Sequence, residues 1–461
     1  MTKTESPKII VLDDDPTGSQ TVHSCLLLLK WDVPTLVMGL QDESPIFFVL
    51  TNTRSLTPEA AAAVTTEVCL NLKHALAQTG ITKYLLVSRS DSTLRGHYPV
   101  ETDAIAQQLG PFDAHFLVPA FFEGGRVTVE STHYIEKTAD GQIKRIPTHE
   151  TEFARDSVFG YSTSYLPDYV AEKTNGLIPA GKVVCFSLKD IRGSALEPLM
   201  ALKNNQCVAV DGEQQSDLDA FSRDLLIAAT KGKKFLFRSA ASLLTSLAAL
   251  PPQPTPAEKM HEITRCLNGA TTGAVIVGSH VKTTTAQLNQ LLKLDSVASV
   301  EVAIAQLKDD QLKDAQLKEN TQSAQRLLDD VMAQVTQIYA EGKTPVVYTS
   351  REELTFDTKV ARLAFGEAVS ALMVEIVRSL PDDLSFLISK GGITSNDTLS
   401  KALSLTAARL LGQVIPGVSV VTTPANHDQF PSLPVVLFPG NVGDDDALAL
   451  AYQRLAATTL T

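Results

Sequence analysis

The chain has 461 residues, 44% hydrophobic and 20% charged, an ordinary globular composition in a length that exceeds one core and predicts two or three domains. A net charge of −12 and a pI near 5.3 exclude functions built on gripping nucleic acid or an anionic membrane surface. The five cysteines are scattered without a CxxC, and the nine histidines show no HxH or HxxxH spacing, which excludes a disulfide framework and a histidine-based metal site.

Residues 1–8 are polar, and no apolar run reaches ~18 residues, so neither a signal peptide nor a membrane span is expected and the expected location is cytoplasmic. The first half then reads as strand–loop–helix units. Run 8–12 is a short apolar strand that ends in Asp13-Asp14-Asp15-Pro16-Thr17-Gly18-Ser19-Gln20. Run 46–50 is a second strand, ending in Thr51-Asn52-Thr53-Arg54-Ser55. Thr57 before Pro58 is a helix N-cap followed by proline at the first helical position, and the alanine-rich stretch 60–77 continues that helix. Run 84–87 is a third strand, followed by Ser88-Arg89-Ser90-Asp91-Ser92-Thr93-Leu94-Arg95-Gly96. Run 115–118 is a fourth, followed by Pro119 and by Gly124-Gly125-Arg126. Further strands are expected at 183–187, 207–210 and 235–237. Apolar strands alternating with helices predict a parallel sheet covered on both faces.

Pro251-Pro252-Gln253-Pro254-Thr255-Pro256 is the clearest linker, since four prolines in six residues cannot continue a helix. It predicts a first domain over 1–250, a linker over 251–257 and a second domain over 258–461. The second half repeats the style, with strands at 273–277, 345–348, 384–388 and 434–438 and a helix at 283–292. Leu327, Leu328, Val331, Val335 and Ile338 define one helix face. Stretch 306–318 carries a five-residue QLK repeat that fits neither helix nor strand period and reads as solvated and partly helical.

In open α/β sheets ligands bind beyond the carboxyl ends of the strands, and the oddest polar clusters of this chain fall there. Four neighbouring strand ends carrying aspartates and arginines would build one pocket for a small acidic, hydroxylated molecule. Three consecutive aspartates repel each other unless a cation sits among them, and Arg54, Arg89, Arg95, Arg126 or a metal ion could supply it. Arg54, Arg89 and Arg95 would hold a carboxylate. Asp14, Asp15, Ser90, Asp91 and Ser92 would bind hydroxyls. Asp91 would take the proton from an attacking hydroxyl, with Asp14 or Asp15 as the alternatives. In the second half, three glycine loops follow strands: Gly278-Ser279-His280, Lys390-Gly391-Gly392-Ile393-Thr394 and Pro439-Gly440-Asn441-Val442-Gly443. Bare backbone N–H groups at such loops suit phosphates. Neither a GxxxxGK[ST] nor a GxGxxG after a strand is present, so the loops are not those of a P-loop or dinucleotide fold.

These elements together resemble the four-carbon acid sugar kinase family, once known only as a domain of unknown function. The resemblance spans nearly the whole chain. It rests on Asp14-Asp15-Pro16-Thr17-Gly18, Thr53-Arg54-Ser55, Asp91-Ser92-Thr93-Leu94-Arg95-Gly96, Gly125-Arg126 and Phe237-Arg238-Ser239 in the first half. In the second half it rests on Gly278-Ser279, Gly391-Gly392-Ile393-Thr394 and Gly440-Asn441-Val442-Gly443. It implies an α/β protein of two domains, each a mostly parallel sheet flanked by helices, with the active site in the cleft between them. It further implies ATP-dependent phosphorylation of threonate, erythronate or their oxo forms, the acid bound by the first domain. ATP would be bound by the second, at Ser279, Gly391, Gly392, Ile393, Thr394, Gly440 and Gly443. Mg²⁺ would be held mainly through the ATP phosphates, and a homodimer is a possible assembly. Two other readings compete: a haloacid-dehalogenase-like phosphatase using Asp13 and Asp15, which satisfy its DxDxT pattern with Thr17, and a non-catalytic sugar-acid sensor.

Overall fold

The computed structural model describes residues 6–139, 142–267, 271–307, 319–351, 354–356 and 358–456. The chain divides into two compact units, Met1–Pro252 and Gln253–Thr461, so the division falls inside the proline-rich segment.

In the first unit the strands are β1 (Lys8–Asp13), β2 (Leu26–Leu28), β3 (Ile46–Leu50), β4 (Tyr84–Arg89), β5 (Ala114–Val118), β6 (Arg126–Val129), β7 (Thr132–Ala139), β8 (Gln142–Pro147), β9 (Val184–Phe186), β10 (Gln206–Val210) and β11 (Phe235–Ser239). Among the described residues its main sheet runs β2-β3-β1-β4-β11-β5-β10-β9, with every pairing parallel. The central strands are buried on both faces, which is why they read as unbroken apolar runs such as Ile46-Phe47-Phe48-Val49-Leu50. Helix Pro58–Thr79 follows β3. The Thr57 side chain accepts from the Ala60 N–H at its start, and Gly80, at φ 68°, ends it. Strands β6, β7 and β8 form a separate antiparallel sheet.

In the second unit the strands are β12 (Ala274–Val277), β13 (Val297–Val302), β14 (Thr344–Thr349), β15 (Leu387–Lys390), β16 (Ala407–Ile415), β17 (Val418–Thr422) and β18 (Pro434–Phe438). The sheet order is β13-β14-β12-β15-β18-β17-β16. It is parallel from β13 to β18, and β17 and β16 add an antiparallel hairpin at one side. Helix Glu319–Ala340 buries Leu327, Val331 and Val335, the face its spacing predicts. Helix Ala447–Ala456 packs Leu448, Ala451, Tyr452 and Leu455 into the core beside Val275, Val436 and Phe438. The QLK repeat lies almost wholly outside the described residues.

Both units are therefore mostly parallel α/β structures. Strands β2, β13, β16 and β17 and the sheet β6-β7-β8 were not among the expected elements. Strand β11 also lies between β4 and β5, so the four polar strand ends are not all direct neighbours, and a fifth end enters the group.

Candidate functional site

In the first unit the strand order reverses at β1 and β4: the chain moves to β3 on one side of β1 and to β4 on the other. Such a reversal leaves a crevice at the carboxyl ends of the strands. Asp13 and Arg89 are register partners there. Arg54 donates to both oxygens of Asp14, Nη2 to Oδ1 at 2.5 Å and Nε to Oδ2 at 3.2 Å, and its Nη1 lies 3.2 Å from Asp15 Oδ2 and 4.0 Å from Asp91 Oδ1. Arg89 Nη1 is 3.5 Å from Asp13 Oδ1 and 3.8 Å from Asp14 Oδ1. Arg95 Nε donates to Asp91 Oδ2 at 2.8 Å, and its guanidinium lies 5.0 Å from the centre of the Phe153 ring. Ser90 donates to the Arg95 carbonyl at 2.9 Å and reaches Asp14 Oδ2 at 3.3 Å. Asp13, Asp14, Asp15, Arg54, Arg89, Ser90, Asp91 and Arg95 are thus one linked cluster. Ser92 is held apart from it, its carbonyl accepting from His133.

The extra strand end contributes Arg238, whose Nη1 donates to Glu101 at 2.6 Å and to Ser88 Oγ at 2.7 Å. Glu101 also accepts from Thr53 at 2.6 Å. A buried pair of this kind needs its geometry and remaining hydrogen bonds satisfied to repay desolvation. Sequence reasoning placed Arg238 in a motif but gave it no role and overlooked Glu101. Their signal is faint, since 137 residues separate the partners. Gly96, at φ 127°, is needed where the backbone passes them: a Cβ there would lie 2.5 Å from Arg238 Nη2 and 2.6 Å from Ser90 Oγ.

The signature loop is held by rings from distant segments. His133 Nε2 donates to the Ser92 carbonyl at 2.8 Å, Tyr161 Oη to the Thr93 carbonyl at 2.7 Å and Tyr169 Oη to the Leu94 carbonyl at 2.8 Å. Three consecutive carbonyls are fixed in this way, with Leu94 in the left-handed region at φ 66°. Thr128 donates to His133 Nδ1, and burial pushes that imidazole down to about 4, so it stays neutral and keeps its proton on Nε2.

The electrostatics divide the carboxylates. Burial drives Asp13 up to about 7, which the attraction of Arg89 reduces and the neighbouring Asp14 and Asp15 reinforce, and its Oδ2 is buried without a hydrogen-bond partner. Burial would also raise Asp15 and Asp91, but the arginines win. Arg54 and Arg89 hold Asp15 below the usual carboxylate range, and Arg95 and Arg54 hold Asp91 far below it. Asp91 Oδ2 also accepts from the Thr93 N–H and hydroxyl.

In the second unit the order reverses between β12 and β15. The glycine loops follow β12, β15 and β18, and the Gly278 N–H donates to the Lys390 carbonyl at 3.2 Å while the Gly391 N–H donates to Phe438 at 2.8 Å. Ser279 and Thr394 sit where the loops converge. A Cβ on Gly391, at φ 124°, would lie 3.1 Å from both Ser279 Cβ and Thr394 Oγ1, and one on Gly440 would lie 3.0 Å from Ser279 Oγ. Thr284 donates to the Gly440 carbonyl at 3.0 Å, and Gln287 to the Val442 and Asp444 carbonyls at 2.9 and 2.8 Å. Beside Gly278, Ile393 and Thr394 opens a cavity of about 750 Å³, lined also by His280, Arg351 and Phe365. That is ample for a nucleotide-sized ligand. Of the expected residues only Ile393 and Thr394 line the cavity; Ser279, Gly391, Gly392, Gly440 and Gly443 stand at the loops without lining it. Arg351, absent from the expected set, donates to the Ser279 carbonyl and leaves Nε and Nη2 buried without partners among the described residues. Lys390 is fully buried, its Nζ on the Pro439 carbonyl at 2.5 Å and 4.0 Å from the centre of the Phe438 ring, and burial pushes its pKa down to about 7. Among the described residues no group of three or more histidines, cysteines, aspartates or glutamates is placed to hold a metal ion, and no helix is long and apolar enough to cross a membrane.

Residues 9–247 match the family model described as the sugar-binding N-terminal domain, and residues 274–448 match the nucleotide-binding C-terminal domain. A D-erythronate kinase from Heliobacterium modesticaldum is 28% identical over 225 residues, 46% of this chain and 47% of that protein, so the chain spans about half the length of the curated relative it matches. Among solved structures, a Salmonella typhimurium LT2 protein aligns over 97% of this chain and 99% of its own with a TM-score of 0.68 at 18% identity. A Haemophilus influenzae protein assigned to the unknown-function family DUF1537 aligns over 97% of this chain and 100% of its own with a TM-score of 0.60 at 16% identity. At such identities these likenesses speak for the fold. With a sugar-binding domain model over the arginine–aspartate cluster and a nucleotide-binding domain model over the glycine loops, the chain belongs to the four-carbon acid sugar kinase family.

Proposed function

We propose that this protein is an ATP-dependent kinase that phosphorylates a hydroxyl of a four-carbon sugar acid of the threonate, erythronate or 3-oxo-tetronate type. The observation that carries the reading is the pairing of two chemistries in one chain. One unit holds a buried arginine–aspartate pocket suited to a hydroxylated acid. The other holds three glycine loops beside a nucleotide-sized cavity.

The second unit's residues fit a triphosphate on their own terms. Gly391 and Gly440 leave room that a side chain would fill, and Arg351 carries two buried donors without acceptors among the described residues. Ser279, Gly391, Gly392, Thr394 and Gly440 would supply backbone and hydroxyl donors to phosphates. Mg²⁺ would come with the nucleotide, neutralising its phosphates. In phosphoryl transfer the protein contributes positioning and charge stabilisation. Here Ser90, Asp14 and Asp91 would orient the acid's hydroxyls, and the arginines would offset negative charge.

Protonation chemistry favours Asp13 over Asp91 as the proton acceptor. A base works best with a pKa near the working pH. Asp13 sits at about 7 with an open oxygen, whereas Asp91 is held far down by Arg95 and spent on Thr93 and Arg95. Asp91 then acts as the residue that orients Arg95.

The test is incubation with ATP, Mg²⁺ and a panel of four-carbon sugar acids. ADP release that depends on one of the acids supports the kinase. Release of phosphate from phosphorylated acids without nucleotide overturns it for a phosphatase. Acid binding with no turnover overturns it for a sensor.

A further inference from the structure

Four arginines are bound into the polar side chains of the first unit's site and neutralised there, and a fifth, Arg126, lies within the electrostatic reach of Asp91 and Arg95. Arg54 pairs with Asp14 and Asp15, Arg89 with Asp13, Arg95 with Asp91 and Arg238 with Glu101. Arg89 Nε and Arg238 Nη2 are also buried without acceptors among the described residues, but the charge of each is already offset by its carboxylate partner. Arg126 is different. Among the described residues its only guanidinium hydrogen bond runs from Nη1 to the Gly124 carbonyl, its buried Nε has no acceptor, and no carboxylate forms an ion pair with it.

The chain builds this arrangement deliberately tight. Arg126 opens β6, and its backbone exchanges hydrogen bonds with Phe121, N–H to O at 2.9 Å and O to N–H at 3.0 Å. Gly125 takes φ 70° to close that turn. A Cβ on Gly124 would lie 2.5 Å from both Arg126 Nη1 and Phe121 Cδ1, so a side chain there would displace the guanidinium or the ring. The guanidinium is thereby folded back with Nη1 anchored and its Nε–Nη2 edge left over. That edge is the fork that matches a carboxylate with two parallel hydrogen bonds. Asp91 and Glu152 attract Arg126 and Arg95 repels it, so it faces the same cluster. Burial without a partner anion pushes its pKa below the ordinary arginine value.

Resting on the sugar-acid reading above, we propose that Arg126 is the residue that grips the substrate carboxylate. Arg54, Arg89 and Arg95 then form the neutralised frame around the hydroxyl-bearing carbons. Arg126 thus decides between an acid and the corresponding neutral polyol. The wild-type chain should prefer erythronate or threonate to erythritol or threitol, and the preference should reside in this one side chain.

Titration calorimetry on the full chain tests this, using erythronate, threonate, erythritol and threitol as probes, with ATP titrated separately. Arg126→Met should weaken acid binding at least tenfold and leave polyol and ATP binding unchanged. Arg126→Lys, which keeps the charge and loses the fork, should fall between the two and guards against a variant that fails to fold. Acid affinity unchanged in both variants would overturn this assignment and leave the kinase reading standing. A wild-type chain that binds ATP and neither acid nor polyol would instead remove the sugar-acid reading itself, and this inference with it.

Discussion

Asp13 and Asp91 stand in one cluster with opposite pKa shifts, up for Asp13 and down for Asp91, and under the proposed function the contrast gives them different work. Asp13→Asn keeps the size and cannot take a proton, so turnover at saturating acid should fall by about 10²–10⁴-fold, the usual contribution of a positioned base. In the wild type, turnover should rise with pH through about 7 as Asp13 ionises. Asp91→Asn should mainly raise the Michaelis constant for the acid, with turnover changed only a few-fold. Steady-state kinetics that separate the two constants check both, and a large turnover loss in Asp91→Asn would return the base role to that residue. The sequence made these carboxylates visible because three aspartates in a row interrupt an apolar strand. It could not rank them, because burial and the approach of Arg89 and Arg95 come from the fold. Arg238 and Glu101 were illegible for the same reason: a buried ion pair leaves no spacing signal when its partners sit on separate elements.

At the scale of elements, the glycine loops and the ring-held signature loop carry testable consequences. Gly391→Ala would place a Cβ 3.1 Å from Ser279 and Thr394 on a backbone at φ 124°. ATP affinity should drop at least tenfold while acid binding is preserved, as read by calorimetry. Tyr161→Phe and Tyr169→Phe each remove one donor to the signature loop. Each should cost about 0.5–1.5 kcal/mol of stability in denaturant unfolding and raise the acid's Michaelis constant without changing ATP binding. The parallel strands were readable because burial on both faces makes them unbroken apolar runs. The sheet β6-β7-β8 was not, because its buried positions include polar residues such as Thr128 and His133, which read as loop. The hairpin β16-β17 hid for another reason: Leu410 and Leu411 fit a helix as well as a strand, and only pairing with β18 decides between them.

For the molecule as a whole, the α/β character of each unit was legible from the alternation of strands and helices. The cost of the site to the fold was not. Asp13 has a folded pKa of about 7 against an ordinary 3.8, so between those values the folded chain holds a proton that the unfolded chain has released. Asp13's contribution to stability therefore declines as pH rises across that window, and its full penalty is present above about 7. Asp13→Asn, which mimics the protonated side chain, should melt at a higher temperature than the wild type at pH 8. The gap should close as the pH is lowered toward 4. Equal gaps at both pH values would show that Asp13 is not buried as an acid. The hold on the carbonyls of Ser92, Thr93 and Leu94 has a consequence in time. Their ring partners lie 41, 68 and 75 residues further along the chain. Contacts closed over such spans form late, after the entropy of the intervening loops has been spent. During synthesis the signature loop therefore emerges long before it has a shape. Under the proposed function, its ability to recognise a ligand would wait until Tyr169 has been made and has docked on the Leu94 carbonyl.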